Sequence, residues 1–152
     1  MRWLARTTIV AACLAATACG GHTVTKKDII ARANGICINA LRAARSLPPP
    51  TGAGSPEALA GYLDKLAPIV ENEASQTRAL PRPAKDRTIL NRYVAAVTAA
   101  ANQYRAVATA ARKGDAAGVS QGLAALRVNP ASALAARYGL VRCNASAGTG
   151  VT

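Results

Sequence analysis

A chain of 152 residues with 51% hydrophobic but only 3% aromatic side chains and no Phe has room for one core. It relies on Ala, the best helix former, rather than on the β-branched and aromatic residues that build sheets. A single His and a single Met exclude the ligand sets of zinc and haem centres, while the formal charge of +12 fits either a solvated basic surface or contact with nucleic acid, anionic lipid or acidic wall polymer.

The first 18 residues read as an export signal. Arg2 and Arg6 form a positive start, and Thr7 to Ala16 is an apolar stretch too short to span a bilayer, which needs about 20 residues. Ala16-Thr17-Ala18 then offers the small residues of a cleavage site before Cys19. An ordinary signal peptidase leaves Cys19 as a free thiol. The lipoprotein route instead attaches lipid to it, and Ala16-Thr17-Ala18-Cys19 resembles a bacterial lipobox, with Ala16 where Leu is usual. Cysteine arithmetic favours lipid attachment at Cys19. Cys13 leaves with the signal, and Cys37 and Cys143 can pair in an oxidising compartment, so Cys19 is the thiol left over. Gly20 to Val24 is a tether of at most about 18 Å, and it carries the only histidine, His22.

The first helix is predicted from Lys26 to Ser46. Thr25 is its N-cap, Asp28 completes a capping box, and Ile29, Ile30, Ala33, Ile36, Cys37, Ala40, Leu41 and Ala44 share one face. Pro48-Pro49-Pro50 stops it. Ser55-Pro56-Glu57 opens the second helix, with Leu59, Tyr62, Leu63, Leu66, Ile69, Val70, Ala74 and Leu80 as its stripe and Pro68 as an expected kink. The third runs from Lys85 to Lys113. Ile89, Tyr93, Val97, Ala100, Tyr104, Val107 and Ala111 line one side, predicting a helix packed on that side alone. Asp115 caps the fourth, where Val119, Leu123 and Leu126 face inward. Asn129-Pro130 either kinks this helix or opens a short new one, and Gly139 is a C-terminal stop.

These elements predict an all-α fold, an up-and-down four-helix bundle with Pro-kinked helices and one disulfide, Cys37 to Cys143. The expected organisation is a signal peptide (1–18), the lipid-attachment cysteine and tether (19–24), the bundle (25–143) and a disordered tail (144–152). The stretches A-N-G-I-C (33–37), L-P-R-P (80–83), K-G-D (113–115) and Y-G-L-V-R-C (138–143), behind the lipobox-like start, give the chain a resemblance to a broad group of small actinobacterial envelope proteins. That resemblance implies a secreted or lipid-anchored helical domain and brings no catalytic residues with it.

Chemistry is sparse in this sequence. A nucleophilic triad needs a His held by a packed scaffold, and His22 lies in the tether. Glu57, Asp64 and Glu71 recur every seven residues, about 10 Å apart along a helix, and read as an exposed face offsetting nearby Arg. The basic residues are dispersed rather than clustered for nucleic acid. Arg87, Arg105 and Arg112 do share a face of the third helix and are the expected surface-binding residues, each adding about 1 kcal/mol toward an anionic surface. Tyr62, Tyr93, Tyr104 and Tyr138 are core positions that can also line an apolar pocket. No catalytic residue, metal or cofactor is expected. The leading expectation is a non-enzymatic envelope lipoprotein on the outer face of the cytoplasmic membrane, meeting an envelope protein or anionic wall polymer. The alternative is a small apolar ligand or lipid carrier with a cavity between the helices.

Overall fold

Helix starts follow the predicted caps. In the computed structural model, which describes residues 24–50 and 55–146, α1 (Lys26–Arg45) opens with a reciprocal box: the Thr25 hydroxyl accepts from the Asp28 amide and the Asp28 carboxylate accepts from the Thr25 amide. α2 (Pro56–Arg78) starts with Ser55 accepting from the Ala58 amide and Pro56 in the first turn. α3 (Arg87–Arg112) begins two residues later than expected, with Asp86 at its N-cap making no side-chain cap bond. α4 (Ala116–Arg127) is capped by Asp115, whose carboxylate accepts from the Gly118 amide at 2.8 Å.

The expected fourth segment, up to its Gly139 stop, is two helices, the second of the two alternatives that Asn129-Pro130 offered. Asn129 opens a new helix, α5 (Ala131–Tyr138): its Oδ1 accepts from the Ala131 amide, and its Nδ2 donates to the Ala96 carbonyl at 3.0 Å, fastening the link onto α3. Gly139 ends α5 in the left-handed region, φ 99°, with the Gly139 and Leu140 amides both donating to the Ala135 carbonyl. The chain then re-enters a helix the sequence did not announce, α6 (Val141–Ser146). Asn144 to Ser146, assigned to the tail on sequence, belong to it; the rest of the expected tail, residues 147–152, lies outside the described residues, as do the expected signal and Cys19. Val24, counted as tether, packs against the core.

The described residues are helical or connecting, with no strand among them. α2 and α3 form the main pair and run antiparallel, bridged by two exposed cross-helix ion pairs, Glu71 with Arg105 and Asp64 with Arg112. α1 packs on α2, α4 and α5 pack on α3, and α6 sits against α1 and α5. α3 is therefore central and not packed on one side alone. Leu90, Val94, Ala96, Ala101 and Ala108 join the predicted stripe in the interior. α4 comes so close to α3 that a Cβ on Gly122 would lie 2.3 Å from Val107 Cγ2. α2 runs unbroken through Pro68, which is exposed. The carbonyl of Asp64, deprived of its donor by the proline, is thus on the solvent side.

Cys37 and Cys143 form the predicted disulfide, 106 residues apart in sequence with Cα atoms 5.0 Å apart. It joins α1 to α6 beside a second tie, the Asn34 Oδ1 accepting from the Arg142 amide at 3.0 Å. The interior divides into two apolar clusters. One holds Ile29, Ala33, Cys37, Tyr93 and the α5 and α6 residues, the other Leu63, Leu66, Val107 and Ala111, and Val70 packs against both. No helix among the described residues is long and apolar enough to cross a membrane.

Candidate functional site

One turn beyond Val70, where the two clusters meet, the inner face of α2 carries a carboxylate. Glu73 is only 6% exposed. It holds a position in the apolar stripe, Leu66, Val70, Glu73, Thr77, spaced four, three and four. Sequence reasoning weighed the exposed carboxylates of this helix and missed Glu73. The available signal was an acidic residue at a stripe position.

The surroundings of Glu73 are built by three helices. From α3, the Tyr93 hydroxyl donates to Glu73 Oε1 at 2.8 Å. From α1, Cys37 Sγ lies 3.4 Å from the same oxygen. As a disulfide sulfur it has no proton to donate, so this is a packing contact. No described Lys or Arg pairs with Glu73, and its other oxygen receives no hydrogen bond from a described residue. Burial pushes the Glu73 carboxyl above the usual range, and the bond from Tyr93 only partly opposes it. The Tyr93 phenol is raised in turn, by burial first and then by the charge of Glu73. Glu73, Cys37 and Cys143 bring three potential metal-ligand atoms within 4.8 Å of one another. A metal binds the thiolate, however, and here the two sulfurs are bonded to each other.

Glu73 also lines a cleft of about 300 Å³ between α1, α2 and α3, a volume at the small end of ligand sites. Leu41 and Ala44 of α1, Leu66 and Val70 of α2, and the rings of Tyr62 and Tyr104 give it apolar walls, and exposed Arg45 stands at its rim. The Tyr104 phenol is raised by burial and by its neighbours Tyr62 and Glu73. A second cavity of about 410 Å³ shares Ala40, Ile69 and Glu73 with the first. One buried carboxyl thus borders both cavities along the α1–α2 seam.

The residues singled out on sequence fall into distinct places. Tyr62 and Tyr104 line the cleft and Tyr93 holds Glu73, but Tyr138 lies apart, its ring beneath Lys26 Nζ at 4.6 Å. Arg105 and Arg112 are neighbours along the α2–α3 seam and each is paired with a carboxylate, Glu71 and Asp64. Arg87 is exposed at the first residue of α3, roughly 27 Å along the axis from Arg105 at about 1.5 Å per residue. The acidic face offsets Arg as expected. For the same reason the three arginines do not form one unpaired cationic patch. Compared with known proteins, the chain matches no protein family, no curated sequence and no solved structure.

Proposed function

We propose that the protein is a non-enzymatic binding module that holds a small, largely apolar molecule in the cleft between α1, α2 and α3. The observation that carries this reading is the cleft itself: apolar walls from three helices converging on one buried, hydrogen-bonded carboxyl. Ligand sites combine mostly apolar lining with few fixed polar groups in this way, and perturbed carboxyls concentrate at functional positions. The groups that converge are one carboxyl and phenols, a set suited to orienting a ligand. The binding reading displaces the arginine-face reading because two of the three arginines already have carboxylate partners.

In this reading the helices form a bundle of antiparallel neighbours, with α4 to α6 as its fourth layer, and Pro68 bends α2 where it borders the second cavity. The domain is exported and held at the outer face of the cytoplasmic membrane by lipid on Cys19, so that the cleft is within reach of amphiphiles leaving the bilayer. The test is fluorescence titration with the apolar probe phenylnaphthylamine. The native protein is expected to bind it saturably. Ala40→Phe, which sets a ring into the cleft from a half-buried α1 position, is expected to abolish binding while leaving the helical circular dichroism unchanged. Equal binding by both proteins would refute the cleft as the site.

A further inference from the structure

A carboxylate inside a protein is held by a cation, held by donors, or keeps its proton. The described side chains offer Glu73 one hydroxyl, that of Tyr93, and two sulfurs already bonded to each other. No described Lys or Arg pairs with it, although the chain as a whole carries +12. Among the described residues the one cation in the cleft lining is Arg45, exposed at the rim. The cleft is therefore apolar along its walls and acidic at its inner end.

We propose, resting on the reading of the cleft as a ligand site, that its ligand is a cationic amphiphile: an apolar chain lies between α1 and α2, and a primary ammonium head donates to the Glu73 carboxylate. A hydrogen bond between ionised partners is about twice as strong as a neutral one, and exclusion of water strengthens it further. An ammonium head supplies both the missing cation and a donor for the second Glu73 oxygen. A carboxylate head would meet the ionised form of Glu73 as a like charge, whereas an ammonium head favours that form, and Arg45 at the rim is screened by solvent. The net charge of the chain repels amines from a distance, so preference for an amine reports the local site.

The experiment is titration calorimetry of the full protein with decylamine, decanol and decanoate below their micelle concentrations, repeated on Glu73→Gln. Gln keeps an acceptor for the Tyr93 hydroxyl. The native protein is expected to bind decylamine about tenfold or more tighter than the other two, and Glu73→Gln to bring the amine level with the alcohol. If decanol or decanoate binds as tightly as decylamine, or if Glu73→Gln keeps the preference, the ammonium assignment is overturned while the cleft remains a ligand site. If none of the three binds, the cleft reading itself fails and the assignment with it. The head-group series on the unaltered protein decides the question even if Glu73→Gln does not fold.

Discussion

At the scale of single residues, Glu73 sets the pH behaviour of the fold. Its carboxyl is raised in the folded protein, whereas in the unfolded chain it titrates near its ordinary value of 4.5. Over the interval between these values the folded state binds the extra proton. The stability Glu73 contributes is therefore fully present below that ordinary value and lost as pH rises through the raised one. The groups facing it are Tyr93 and Tyr104 from α3 and the disulfide sulfur of α1, none of which titrates in that interval. Glu73→Gln is expected to abolish this loss, so urea midpoints of the two proteins should diverge from acid toward neutral pH, with the Gln protein the more stable. Parallel midpoints would contradict the burial argument. Glu73→Ala is expected to lose about 1 to 3 kcal/mol relative to Glu73→Gln, because it leaves the buried Tyr93 hydroxyl without an acceptor. The sequence made Glu73 hard to see for a physical reason. Acidic residues usually belong to solvated faces, and only its phase within the Leu66–Val70–Thr77 stripe marked it as interior. The tyrosines were legible as dual-purpose, because an aromatic body with a polar tip suits a cleft wall as well as a core.

At the scale of elements, what was local was legible. Thr25, Ser55 and Asp115 cap the helices assigned to them, because a side-chain oxygen and an amide three residues on are enough to specify a cap. α6 was not legible. Six residues make no stable helix alone. This one is held by the Asn34 side chain and the Cys37–Cys143 bond, contacts that span 108 and 106 residues. The A-N-G-I-C and Y-G-L-V-R-C stretches are thus the two halves of one junction. The central position of α3 was also hidden, since Ala at positions 96, 101 and 108 packs closely without announcing a stripe. The α3–α4 contact predicts a direct test. Gly122→Ala gains roughly 1 kcal/mol of helix propensity, but its Cβ meets the fully buried Val107 side chain at 2.3 Å. A net loss of stability is expected, up to about 3 kcal/mol for overpacking, measurable by denaturant unfolding. A stabilised variant would show that the two helices are not held at this separation.

At the scale of the whole molecule, the disulfide and the cleft divide the labour. Cys37–Cys143 joins α1 to the C-terminal helix and closes a 106-residue separation. In the chain-entropy account this is worth about 4 to 5 kcal/mol. Replacing both cysteines by Ser is expected to lower unfolding stability by an amount of that order, and alkylation without reductant should fail to label either residue. Free labelling of both in the native protein would contradict the pairing. The helical class and the pairing of these cysteines were readable from composition, periodicity and cysteine count. A pocket between helices with tyrosine walls was among the readings, but its place and its carboxyl were not legible, because the cleft arises where two apolar clusters from distant segments meet at Val70, beside Glu73.

On the proposed reading, this cleft holds a small amphiphile. Native mass spectrometry of the protein purified from its own cells, beside Ala40→Phe prepared in the same way, tests it most directly. A non-covalent small-molecule adduct is expected on the native protein and not on the Ala40→Phe protein. Bare protein in both samples, or the same adduct retained by Ala40→Phe, would contradict it.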